Sequence, residues 1–112
     1  MYYEKLDVWR RSKSLAVSVY KHLAHLRDFG FKDQITRSVL SVSSNNAEGS
    51  ERFYIKEKKQ FFSIAKGSIG EFKSQTYVGI EIGYVKPEHG KCWLIEAEAI
   101  SKMLGKYISV IK

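Results

Sequence analysis

In four successive stretches of this chain, apolar residues return at alternating intervals of three and four. That is the spacing of a helix burying a single stripe. The first stripe, in a helix over about 7–26, is Trp9, Ser12, Ala16, Val19, Leu23 and Leu26. The second, over about 33–49, is Ile35, Val39, Val42, Asn46 and Gly49. The third and longest, over about 53–82, is Phe61, Ala65, Ser68, Phe72, Gln75, Gly79 and Ile82. The fourth, over about 87–112, is Trp93, Ala97, Ile100, Leu104, Tyr107 and Ile111. Short connections make successive helices antiparallel, so the pattern predicts an all-α fold, an antiparallel up-down-up-down four-helix bundle. A chain of 112 residues suits one domain, 1–112, around one core.

Local signals support these bounds. Asp7 and Asp33 are suitable N-caps for the first two helices, and Gly30 suits a left-handed loop between them. Gly83 closes the third helix, and Pro87 fits the first position of the fourth, where its missing N–H costs nothing. Three glycines, Gly67, Gly70 and Gly79, fall inside the third helix. Each costs about 1 kcal/mol against alanine there, which implies either close approach of a neighbouring helix or a kink. The Tyr77–Val85 segment is rich in strand formers but continues the helical stripe, and is read as helix.

Several functions are excluded by what is missing. One cysteine permits no internal disulfide, and neither a membrane span nor an apolar leader is expected. The expected setting is cytoplasmic. No Glu-x-x-His pair exists for a di-iron bundle. His22 and His25 lie three apart without a third ligand, so no metal and no cofactor are expected. Cys92 follows His89 by one turn but has no orienting third group, and beside Trp93 it reads as a buried structural thiol. Gly67-Ser68-Ile69-Gly70 has the GxxG spacing but sits inside a helix rather than a loop. No catalytic residue emerges, and the chain is expected not to be an enzyme.

The charge is more informative. A net +7 favours polyanionic partners, and it is spread over the predicted helices rather than gathered in a tail. On the third helix Lys59, Lys66 and Lys73 repeat every seven residues, with Lys56 one turn earlier. The four fall in a narrow arc, roughly opposite the Phe61–Phe72 stripe, along about 25 Å at 1.5 Å per residue. Glu57 and Glu71 fall toward the core side and leave the row uncancelled. Arg10 and Lys21 point away from the first helix's stripe and are secondary candidates. The bland alternative is a merely solvated face. The favoured reading is phosphate contact at several points along a nucleic acid.

A polar row, Gln34, Arg37, Ser41, Asn45 and Glu48, flanks the second stripe. Glu71 or Glu57 is available to Arg37 if the second and third helices pack together. This suggests a buried or interfacial network in which every group needs a partner. The alternative is a ligand cleft, disfavoured because no nucleophile–base pair accompanies it.

Several motifs occur in order: Leu6-Asp7-Val8-Trp9, Gln34-Ile35-x-Arg37, Asn45-Asn46-Ala47-Glu48-Gly49-Ser50-x-Arg52, Phe62-x-Ile64-Ala65-Lys66-Gly67-Ser68-x-x-Glu71, and Ile82-Gly83-Tyr84. Through them the chain resembles, over almost its whole length, the bacterial four-helix-bundle family encoded in intervening sequences of 23S ribosomal RNA genes. It is also similar to the accessory variability protein of diversity-generating retroelements. The resemblance implies a ring-like homopentamer that binds nucleic acid, RNA in first place, through a basic surface without catalysis. In the retroelement branch the implied partner is a reverse transcriptase with its template RNA, so a protein-interaction adaptor without nucleic-acid binding of its own is the alternative. Gln34, Arg37, Asn45, Glu48, Gly49 and Glu71 carry over as structural or interface positions. Two departures stand out. Asn46 replaces a usual apolar residue, and Phe72-Lys73-Ser74 replaces a more acidic stretch.

Overall fold

The computed structural model describes residues 3–111. A single 3-10 turn, Tyr3–Lys5, leads into four α-helices: α1 (Asp7–His22), α2 (Phe29–Glu51), α3 (Ile55–Glu81) and α4 (Pro87–Val110). Consecutive helices pack against one another and α4 returns to α1, so each helix has its two closest neighbours beside it rather than across the bundle. The α2–α3 interface is the most extensive of these and the α1–α4 interface the slimmest. The result is the expected four-helix bundle, 43 × 21 × 20 Å. Among the described residues, no helix is long and apolar enough to cross a membrane.

Helix ends differ from expectation where two capping signals compete. Asp7 is the first residue of α1 and the cap position is Leu6; the Asp7 carboxylate still favours the positive helix start. After His22 the chain leaves the helix, yet Leu23 remains buried in the core. The cap of α2 is Asp28 rather than Asp33: its Oδ1 accepts the Phe31 N–H at 3.1 Å, and its Oδ2 accepts the Tyr84 hydroxyl at 2.9 Å. Gly30 is therefore helical, and among the described residues only Gly83 has a positive φ, +85°. At Gly83 the Tyr84 N–H reaches Gly79 O at 2.9 Å and the Gly83 N–H reaches Ile80 O at 3.2 Å. These are the paired bonds of a Schellman stop. Pro87 opens α4 as expected.

The stripes of α2 and α4 are buried where the periodicity puts them, with Tyr107 and Ile111 only partly covered at the end. That of α1 shifts from Trp9 onto Val8 and Leu15. On α3 half the stripe moves by one residue. Phe62, Ile69 and Thr76 are buried in place of Phe61, Ser68 and Gln75. Phe62 stacks on Tyr107 at 5.7 Å, whereas Phe61 lies under the Arg52 guanidinium at 4.6 Å. Ser68 and Gln75 bond across to α2 instead, Ser68 Oγ to Ser41 Oγ at 2.9 Å and Gln75 Oε1 from Ser38 Oγ at 2.6 Å. Asn46 is fully buried, its Nδ2 donating to Ser12 Oγ at 3.1 Å while its Oδ1 has no hydrogen-bond partner.

Close packing explains one of the three glycines inside α3. A methyl at Gly79 would lie 2.7 Å from Val85 Cγ2 and 3.0 Å from Phe31. At Gly67 and Gly70 it would meet open space, so no neighbour within the chain requires them.

Candidate nucleic-acid interface

The α3 lysine row does not lie opposite the core. Moving the buried arc from Phe61, Ser68 and Gln75 to Phe62, Ile69 and Thr76 turns it toward the lysines by about 50°, at 100° per residue. Lys59, Lys66 and Lys73 therefore run along the flank of α3 beside α4. Lys66 Nζ donates to Ser101 Oγ at 2.9 Å. Lys73 Nζ lies 2.5 Å from Glu98 Oε2, with 29% of its side chain exposed. This pair cancels one member of the row. Lys56 is exposed and Lys59 half-buried, and neither pairs with a carboxylate among the described residues.

The Glu98 carboxyl is held below its ordinary range, first by the Lys73 hydrogen bond and charge and then by the nearby charges of Lys102 and Lys66. One acid thus sits among three lysines, and the seam keeps a positive excess. Lys102 was missed by sequence reasoning. Its signal was its place off the Trp93–Leu104 stripe, but only the tertiary fold brings it beside α3.

The two classes of cation are used differently. Arg10 pairs with Asp7, Arg37 with Asp33 at 3.0 Å, and Arg52 with Glu48 at 2.8 Å. Arg11 makes a two-pronged contact with Glu96, at 2.8 and 2.7 Å, that ties α1 to α4. This contact raises the Arg11 pKa and lowers that of Glu96. Among lysines, only Lys73 forms an ion pair among the described residues. Lys58 caps the end of α2, donating to Gly49 O at 3.3 Å and Ser50 O at 3.0 Å.

Other expected positions are not gathered with the row. Arg10 is occupied by Asp7, and Lys21 edges a groove between α1 and α2, on the opposite side of the bundle from the α3/α4 seam. That groove, about 360 Å³, is lined by Ala16, Val17, Tyr20 and Leu40 and flanked by Lys13 and Lys21.

The polar row of α2 is not one buried network. Arg37 takes Asp33 rather than Glu71 or Glu57, and both partners are well exposed. Glu48 binds Arg52, which also approaches Glu57 at 3.7 Å. Asn45 Nδ2 donates to Ser41 O and Oγ at 2.8 and 2.9 Å. Gln34, Arg37 and Glu71 line a shallow pocket of about 410 Å³ between α2 and α3. Neither Glu71 nor Glu57 points into the core. Glu71 nevertheless leaves the lysines alone, because it lies on the α2 side of α3.

The expected buried thiol is a further correction, since Cys92 is exposed. His22 shares its contact with His89 of α4, ring centroids 3.9 Å apart, rather than with His25. No cluster of three or more His, Cys, Asp or Glu suited to a metal occurs among the described residues.

Fold and surface together define an α-helical bundle protein with a lysine-lined seam between its last two helices. The chain belongs to the 23S rRNA-intervening sequence protein family, whose model matches residues 4–106. A crystal structure of a protein of unknown function from the S23 ribosomal protein family of Bacteroides thetaiotaomicron superposes with a TM-score of 0.84. The two share 24% identity over 90% of this chain and 97% of the other, a likeness of fold. No curated protein matches the chain.

Proposed function

We propose that the protein is a non-enzymatic, homo-oligomeric accessory protein that binds RNA through the α3/α4 seam. The observation that carries this reading is the contrast, among the described residues, between four arginines held in intramolecular pairs, with Arg27 the exception, and lysines that, Lys73 apart, have no carboxylate partner. Lys56, Lys59, Lys66 and Lys102 remain available to phosphates, with Lys73 shared with Glu98. Such ammonium groups act as point charges that release counterions and read little sequence. The family's association with ribosomal RNA genes favours RNA over DNA. Arg10 and Lys21 add only to the general positive field.

Self-association as a pentameric ring rests on the resemblance. It is supported by the apolar α1/α2 groove, whose exposed Val17, Tyr20 and Leu40 would be covered by association between copies. A second reading, a protein adaptor such as a reverse-transcriptase accessory, is favoured by the exposed Val17, Tyr20 and Leu40 of the α1/α2 groove. Purification at low salt, followed by absorbance and solution mass with and without added RNA, separates the two. Co-purifying or added RNA that shifts the mass of the oligomer supports the proposal, whereas an oligomer that never retains RNA leaves the adaptor.

A further inference from the structure

The α3/α4 seam carries more than charge. Four residues beyond Lys73, on the same face of α3, Tyr77 stands 58% exposed, and across the seam Ile95 is 62% exposed. Between them lies a groove of about 500 Å³ floored by Leu94 and Ile95 and edged by Lys73 and Lys102. Among the described residues the Tyr77 ring pairs with no other aromatic. We propose that this groove takes an unpaired base of single-stranded RNA stacked on Tyr77, with the phosphates on the strand's path toward the start of α3 held by Lys102 and Lys66. The inference rests on the nucleic-acid reading above and narrows it to strands whose bases are free.

Three observations converge. A flat ring beside an apolar floor offers a stacking platform that every base can use. A strand leaving a base stacked on Tyr77 toward the start of α3 needs cations along its path, and there Lys102 edges the groove and Lys66, bonded to the adjacent Ser101 at 2.9 Å, lies just beyond it. Glu98 does not repel the strand outright, because Lys73 already holds it at 2.5 Å. A duplex keeps its bases in its own stack, so it gains from the lysines but not from the ring. A second copy of this chain is a poorer occupant, since the protein carries +7 and the lysines would lose water against a like-charged surface.

The test uses the full chain and fluorescence anisotropy at one fixed salt concentration. The probes are a single-stranded RNA of about a dozen nucleotides and the same strand annealed to its complement. The single strand is expected to bind about tenfold tighter than the duplex. Tyr77→Ala should remove about tenfold of single-strand affinity, leave duplex binding unchanged and keep the salt dependence. Tyr77→Phe, which keeps the ring, should bind as the parent does. The inference is overturned if Tyr77→Ala binds single strands normally or if duplex and single strand bind equally; lysine-based binding survives either result. It is also overturned if Tyr77→Ala changes the solution mass, because the groove is then a contact between copies. Absence of binding to any nucleic acid removes both the inference and the reading beneath it.

Discussion

The bundle has two grooved seams on opposite sides, and they differ in what surrounds the apolar surface. Between α1 and α2, Ala16, Val17, Tyr20 and Leu40 make a continuous apolar floor, with Lys13 and Lys21 only at the margin. Between α3 and α4, lysines from both helices flank the groove, and its one acid is already paired. A helical bundle needs only the inward stripes for folding, so its outer seams are free to diverge. One is suited to another protein surface and the other to a polyanion.

The largest expected effect breaks this contrast directly. Reversing Lys59, Lys66 and Lys102 to Glu should weaken RNA binding by more than about a hundredfold at moderate salt. The same change at Lys13 and Lys21 should cost less than about threefold. Titrations of both variants check this, and equal losses would make net charge, not the seam, the determinant. Next in size, Leu40→Glu should dissociate the oligomer while circular dichroism remains helical, and Ile95→Glu should leave the solution mass unchanged.

Smaller effects concern α3 itself. Gly79→Ala should destabilise by about 1–3 kcal/mol, since the added methyl meets Val85 and Phe31. Gly67→Ala and Gly70→Ala should each stabilise by about 0.5–1 kcal/mol, because the methyl meets nothing. Thermal melts decide the signs, and destabilisation at Gly67 or Gly70 would mean an assembled neighbour fills that space.

The smallest effect is acid sensitivity where α4 returns to α1. The Glu96 pKa is depressed chiefly by Arg11, and that of Asp28 by the Phe31 N–H and Tyr84 hydroxyl. A lowered carboxylate stabilises the fold above its unfolded pKa, about 4, and loses that contribution as pH falls through the lower folded value. Stability should thus fall from about pH 4.5 downward, and Glu96→Gln should flatten part of that slope. For an exposed pair the expected difference is about 0.5 kcal/mol. An unchanged slope in the variant would remove the pair from the account.

Much of this was legible in the sequence, for identifiable reasons. The stripe of α2 was legible because Ile35 and Val42 each stand between polar neighbours, and that of α4 because Glu96 and Glu98 bracket Ala97 and Ser101 and Lys102 follow Ile100. The α3 stripe was not, because Phe61 and Phe62 are neighbours and either can fill the core. Stacking of Phe62 on Tyr107, forty-five residues away, decides between them. The α2 start was ambiguous in the same way: Asp28 and Asp33 are both competent caps, and packing of Phe31 against Tyr84 and Gly79 favours the earlier one. The lysine row was visible as a heptad, but its angle to α4, the Glu98 pair and the contribution of Lys102 depend on the α3–α4 docking. The arginine pairing was misread because Asp33, one turn before Arg37, was assigned to capping rather than to an ion pair.

The central claim is electrostatic and rests on the α3/α4 lysines. Its most direct measurement is the affinity of the parent protein for a short RNA across a range of salt concentrations, beside the Lys59/Lys66/Lys102→Glu variant. The account predicts that log affinity falls in a straight line with log salt, and that the variant's line is shallower by about two to three units of slope. A parent affinity that ignores salt, or a variant whose line coincides with the parent's, would contradict it.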